Sequence, residues 1–228
     1  MVSLQYLASC VKEDASKVSS KHDFGRDVIP AGLKRGDHFH AHEFQNPTDN
    51  KSPYWRDVGT IDGYYSANME LIDENPPLDL YDSVWSTVTH QRQLAPSLFR
   101  CSGNDGAIES SMVSGGCIII NSKVRRSILF SDVKVDEGCY LDGVLALPGC
   151  RIGAGSRLQN VILDNRCDVP PGTTAGYDAA SDSEKYDITN DKIVVINRRM
   201  LGQGLSYNPE AYPRKNLDNS KSVSYTHL

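Results

Sequence analysis

The apolar residues of this chain follow two rhythms. From about Met112 to Ala175 they return every 17 residues. One column runs Ile118, Val135, Ile152, Val169, a second Val124, Leu141, Leu158, Ala175, and a third Leu129, Ala146, Leu163. A glycine column, Gly138, Gly155 and Gly172, keeps the same step. Within one period the apolar positions lie about six, five and six apart, the spacing of three short strands per coil with a tight turn after each. Such coils bury their inward columns by stacking on one another, and glycine suits turns that need a left-handed backbone. An antiparallel sandwich would not fix the period, so the pattern predicts a parallel β-helix. Its hand does not follow from the spacing.

The residues before the repeat read as short helices and strands. Leu4, Leu7, Ala8 and Val11 predict a helix over 1–12, followed by a polar loop over Lys12–Lys21. Phe24, Val28, Ile29 and Leu33 suit a second helix, against which Pro30 stands near the middle. Asp37–Phe44 alternates like a strand, and Asn46–Ser52 is a turn-rich loop. Ile61, Tyr64, Ala67, Met69 and Leu71 predict a helix over Thr60–Glu74, stopped by Asn75-Pro76-Pro77. Residues 78–111 show little periodicity, with Ser102–Gly106 as their most flexible part. Lys192–Ile196 reads as a strand continued over Asn197–Leu201, and the chain beyond Gly202 is polar and patternless. The division is then a front section over 1–90, a connector over 91–111, a β-helix over 112–201 and a disordered tail over 202–228, whose closing VSYTHL reads as foreign. A front section of about 90 residues is thin for an independent α/β core, so it reads as the end of a larger domain.

Composition narrows the class. Length over ~150 allows one to two domains for the 228 residues. Lys+Arg 24 against Asp+Glu 29 leaves a net charge of −5, without the basic excess of a nucleic-acid binder. Apolar runs such as Cys117-Ile118-Ile119-Ile120 fall far short of the ~20 residues of a membrane span. The opening MVSLQYLASCVKED lacks the basic and apolar regions of a secretory signal. Six cysteines without a CxxC pair predict reduced, mostly buried thiols in a cytoplasmic protein. Neither G-x-G-x-x-G nor a P-loop stands anywhere in the sequence.

Three clusters carry chemistry. His38, His40 and His42 would share one face of a strand, but a flat row does not converge on a zinc ion at ~2 Å, so strand packing is the better reading. In Tyr54-Trp55-Arg56-Asp57-Val58-Gly59-Thr60 the carboxylate of Asp57 suits a hard cation such as Mg²⁺, and Trp55 suits a sugar or ring. The structural reading of the same residues makes Thr60 a helix cap and Trp55 a core residue. His22 and Asp23 stand in a charged loop entering a helix, where Asp23 serves equally as an N-cap. No Ser-His-Asp or Cys-His spacing stands out.

The segments SKHDFGRDVIP, PYWRDVGTIDGYYSANMEL, NPPLDLYDSVW, SMVSGGCIII, the coil SILFSDVKVDEGCYLDGVLALPGCRIGAGSRLQNVILDNRCDVPPG and KIVVINRRML together resemble bacterial glucose-1-phosphate adenylyltransferase, over about Leu4 to Leu201. The resemblance implies the C-terminal part of an α/β nucleotidyltransferase domain, then a left-handed parallel β-helix of the hexapeptide-repeat type. It implies an enzyme of glycogen biosynthesis that makes ADP-glucose and pyrophosphate from ATP and glucose 1-phosphate with Mg²⁺. It further implies a homotetramer under an anionic allosteric effector. By position it makes Asp57 the catalytic, Mg²⁺-binding aspartate and places Trp55 and Arg56 in the sugar-phosphate pocket, with His22 and Asp23 beside it. Arg198 matches a basic position of the effector site, while Asn165 stands where relatives regulated by sugar bisphosphates often have arginine. The family's glycine-rich nucleotide loop, first metal aspartate and sugar-phosphate lysine have no counterpart here, so the expectation is a truncated chain, inactive alone. Two other readings stand beside the enzyme. A regulatory or assembly subunit of the same enzyme would use the exposed coil faces to pair chains. A β-helix acyltransferase would need a general-base histidine near the coils, and the nearest to Met112–Ala175 is His90.

Overall fold

A computed structural model describes residues 3–43, 54–83, 89, 92–102 and 106–204. The expectations for Asn46–Ser52, for the centre of Ser102–Gly106, for His90 and for residues 205–228 lie outside the described residues. Those described fall into two compact units, one before residue 44 and one from Tyr54 onward.

The N-terminal unit is helical. α1 spans Leu4–Ala15 and is capped by Ser3, whose side chain accepts from the Tyr6 N–H. It runs beyond the predicted end because its last charges find partners: buried Asp14 accepts from the Ser20 hydroxyl at 2.7 Å and lies 2.9 Å from His22 Nδ1. Phe24–Val28 forms one wide π turn that leads into α2, Ile29–Arg35. Pro30 therefore sits in the first turn of α2, where no backbone donor is needed. Arg35 reaches Glu13 and Asp37, each at 2.8 Å, and the Tyr6 hydroxyl donates to Asp37 at 2.6 Å. Asp37–Glu43 is irregular rather than the expected strand, and His38, His40 and His42 are exposed. Alternation makes a strand only where a neighbour takes up its backbone groups, and no described residue does so here.

The second unit opens with α3, Ile61–Met69, capped by Thr60 and prolonged by a tight turn over Glu70–Ile72. The β-helix follows. Its strands are β1 (Leu98–Arg100), β2 (Ala107–Glu109), β3 (Met112–Val113), β4 (Ile118–Ile120), β5 (Lys123–Arg125), β6 (Ile128–Leu129), β7 (Lys134–Val135), β8 (Tyr140–Ala146), β9 (Arg151–Ile152), β10 (Arg157–Leu163), β11 (Asp168–Val169) and β12 (Thr174–Ala175). A short α4, Ala179–Ser183, then leads to β13 (Asp187–Ile188) and β14 (Val194–Ile196). One face of the coil is the parallel ladder β1-β4-β7-β9-β11. The second is built from β2, β5, β12 and the first halves of β8 and β10, and the third from β3, β6, β14 and their second halves.

The register follows the predicted step through Leu141↔Leu158↔Ala175 and Leu129↔Ala146↔Leu163, all fully buried. It departs in the first coil, where Val135 pairs with Ile119 rather than Ile118. That coil is one residue shorter, so Ile119 is the inward residue and Ile118 only half-buried. The parallel ladder also begins before Met112, because β1 pairs with β4 through Leu98↔Ile118 and β2 with β5 through Ala107↔Lys123. The corners take left-handed backbone in columns: Asn121, Gly138, Gly155 and Gly172 at φ 39 to 74°, and Ser110, Arg126, Gly143 and Asn160 at φ 43 to 67°. Five of the six cysteines are buried, none forms a disulfide, and burial pushes the Cys117 and Cys139 thiols up.

The third face points a second apolar row outward: Ile128, Leu145 and Ile162. Tyr64, Tyr65, Met69 and Ile72 of α3 and its following turn cover that row. α3 is thereby fixed to the coil, and with it the loop that leads into the helix.

Candidate sugar-phosphate site

Trp55, Arg56 and Asp57 occupy the loop that α3 holds in place. Asp57 Oδ1 accepts from the Gly59 N–H at 2.9 Å, and Thr60 Oγ1 accepts from the Gly63 N–H at 3.0 Å. Two successive side-chain-to-backbone caps therefore set the path into the helix. Gly63 sits close against this turn: a Cβ there would lie 3.1 Å from Thr60 Oγ1 and 3.2 Å from the Asp57 carbonyl oxygen. The second carboxylate oxygen of Asp57 accepts from no described residue. Arg56 forms an ion pair with Glu70 in the turn after α3, which holds the guanidinium along the helix. Trp55 is 78% exposed and so is no core residue.

These three side chains and the first turns of α3 line a groove of about 530 Å³. Asp191, from the turn between β13 and β14, lines it as well. So does Asp62, whose Oδ1 is buried and accepts no hydrogen bond. The groove thus presents one cation, three carboxylates and an exposed indole. Among the described residues no three His, Cys, Asp or Glu side chains converge as a metal site. Carboxylates such as Asp57 suit a hard cation that takes its other ligands from phosphates and water, as Mg²⁺ does.

Further along α3, Tyr65 pins the helix to the coil. Its hydroxyl donates to the Gly143 carbonyl at 2.7 Å, at a left-handed corner of β8. Burial pushes this phenol up to about 12. Beside it a second groove of about 480 Å³ runs between α3 and the corners near Arg125, Arg126 and Asn160. Arg125 is paired there with Asp142 at 2.8 Å.

The other residues singled out from sequence stand elsewhere. His22 and Asp23 belong to the N-terminal unit and shape its turn. His22 takes a left-handed backbone at φ 58° beside Asp14, and Asp23 Oδ1 caps the π turn by accepting from the Arg26 N–H at 2.8 Å. Arg198 follows β14, is half-buried, and does not line the Asp57 groove. Sequence reasoning missed Asp62 and Asp191. Asp62 stands in the first turn of a predicted helix, a position from which it can reach the preceding loop. Nothing in sequence brings Asp191 to the same loop.

Comparison with known proteins agrees with this layout. Residues 4–74 match the family described as nucleotidyl transferase, and residues 95–196 the one described as GlmU-like, C-terminal hexapeptide. Curated proteins named glucose-1-phosphate adenylyltransferase are similar over most of the chain. That of Paraburkholderia phytofirmans is 40% identical over 207 residues, 88% of this chain and 49% of the relative. That of Nitrosomonas europaea is 39% identical over 208 residues, 89% of this chain and 48% of the relative. That of Francisella tularensis subsp. novicida is 36% identical over 204 residues, 87% and 48% respectively. The chain spans about half the length of the curated relatives it matches, and among its described residues no helix is long and apolar enough to cross a membrane. A nucleotidyl-transferase segment thus feeds a hexapeptide β-helix, and along nearly its whole length the chain is similar to about half of the length of proteins named glucose-1-phosphate adenylyltransferase.

Proposed function

We propose that the Asp57 groove is the sugar-phosphate side of an adenylyltransferase site, in a protein that makes ADP-glucose and pyrophosphate from ATP and glucose 1-phosphate for cytoplasmic glycogen synthesis. A phosphate oxygen of glucose 1-phosphate attacks the α-phosphorus of ATP in line. The new P–O bond forms as the α–β phosphoanhydride breaks and pyrophosphate leaves. Catalysis of this kind is mostly positioning and charge neutralisation. Arg56 supplies a cation for phosphate, and Trp55 a plate for the apolar face of the sugar. Asp57 holds Mg²⁺, which when bound offsets phosphate charge. The observation that carries the reading is the convergence of Trp55, Arg56 and Asp57 on one groove at the start of a helix pinned to the β-helix. The 228 residues hold no glycine-rich phosphate loop, so by themselves they do not turn over ATP. The exposed coil faces serve assembly into a homotetramer, and Arg198 serves an anionic effector.

The test is a titration of the chain with glucose 1-phosphate in the presence of Mg²⁺. Saturable binding is expected, weakened about tenfold by Trp55→Ala, on the scale of one buried aromatic contact, and by Asp57→Asn. A wild-type chain that binds no glucose 1-phosphate overturns the reading.

A further inference from the structure

We infer that Asp191, delivered by the far end of the β-helix, determines sugar specificity in this groove by accepting hydrogen bonds from the hydroxyls of the bound sugar phosphate. The inference rests on the reading of the groove as a sugar-phosphate site. Its physical basis is where Asp191 stands and how firmly it is held. β13 and β14 pair antiparallel through Asp187↔Val195 and Ile188↔Val194. Their turn is closed by three hydrogen bonds: the Thr189 N–H to the Ile193 carbonyl at 3.0 Å, the Lys192 N–H to the Thr189 carbonyl at 3.1 Å, and the Ile193 N–H to Thr189 Oγ1 at 3.1 Å. Lys192 completes it in a left-handed conformation at φ 64°. β14 is in turn laddered to β10 in the coil wall, and Ile193 packs with the row that α3 covers. The turn and the Trp55–Asp57 loop are thus anchored to the same face of the same coil.

Asp191 is exposed, and its carboxylate has no hydrogen-bond or ion-pair partner among the described residues although Arg56 lines the same groove. A carboxylate offers acceptors only, so it repels phosphate and suits hydroxyl donors. Arg56 offers donors only and suits phosphate. In the inferred pose the phosphate of the ligand lies toward Arg56, the one cation of the groove, and its hydroxyls toward Asp191, the carboxylate that comes from outside the Trp55–Asp57 loop and α3.

The experiment titrates the full chain with glucose 1-phosphate and, separately, with inorganic phosphate, which has no sugar hydroxyls. NMR reads the binding, since it registers millimolar dissociation constants. Asp191→Ala is expected to weaken glucose 1-phosphate about tenfold, the scale of a hydrogen bond to a charged group, with Asp191→Asn in between. Inorganic phosphate binding should stay equal or tighten in both variants. Glucose 1-phosphate affinity unchanged in Asp191→Ala overturns the inference and leaves the groove assignment standing. Equal weakening of both probes also overturns it, because it marks a general disturbance of the groove. A wild-type chain that binds no glucose 1-phosphate removes the groove assignment and this inference together.

Discussion

Asp14 is a buried carboxylate of the N-terminal unit. The Ser20 hydroxyl and His22 both hydrogen-bond it and hold it below the usual carboxylate range. Lys17 does the same for Glu13, and Tyr6 and Arg35 for Asp37. A carboxylate depressed in the folded state contributes stability above its ordinary pKa, near 4, and loses it as pH falls through the depressed value. Thermal unfolding followed by circular dichroism should therefore show helical signal lost earlier as pH drops below about 4. Asp14→Asn should lower the midpoint at pH 7 and flatten that acid dependence. An acid slope unchanged in Asp14→Asn would show that other groups govern it. At this scale the sequence was readable where a side chain acts on its neighbours. Asp23 and Thr60 cap helices as their positions suggest, and Asp57 turns the loop through Gly59. Trp55 was open between a core residue and a plate for a sugar or ring, and its exposure removes the core reading. The left-handed His22 and the reach of Asp191 depend on chain geometry that composition does not carry.

At the scale of elements, the β-helix was legible because its order repeats. Stacked coils must place like residues over like, so period and inward columns appear directly as apolar spacing. The first coil was misjudged by one residue because Ile118, Ile119 and Ile120 are all apolar, and only the pairing of Ile119 with Val135 identifies the inward one. β1 was hidden by a longer step, Leu98↔Ile118, and β2 by a shorter one, Ala107↔Lys123, both of which break the period. The adjacent apolar pairs Ile128-Leu129, Leu145-Ala146 and Ile162-Leu163 held an unused signal, because two neighbours in a strand cannot both face inward. Their outer members marked the face that α3 covers. Two predictions belong here. Leu141→Ala, at a fully buried position, should cost ~2–5 kcal/mol in denaturant unfolding. Gly138→Ala, at a corner with φ 74°, should cost ~1–2 kcal/mol. The Tyr65 contact gives a pH signature. A phenol raised from 10 to about 12 by burial contributes stability that is present below pH 10 and lost as pH rises through about 12. Tyr65→Phe should lower stability at pH 7 by ~1 kcal/mol, leaving the Gly143 carbonyl without its donor, and should reduce the alkaline loss. Parallel alkaline curves for the two proteins would assign that loss to other tyrosines.

Across the whole molecule, the β-helix acts as a frame for the groove. Its third face holds α3, α3 holds the Trp55–Asp57 loop, and its last hairpin brings Asp191 to the same groove. The repeat encodes that frame in plain sequence, whereas the groove joins residues from opposite ends of the unit and becomes visible only in the folded chain. The most direct test of the central claim is ADP-glucose formation from ATP, glucose 1-phosphate and Mg²⁺. It would compare the 228-residue chain with the same chain joined to the part of the Paraburkholderia phytofirmans relative outside the match. No product is expected from the chain alone. Turnover is expected from the joined protein, lowered ~10²-fold or more by Asp57→Asn, on the scale of losing a group that stabilises transition-state charge. Turnover by the chain alone, or a joined protein as active with Asp57→Asn as without it, would contradict that claim.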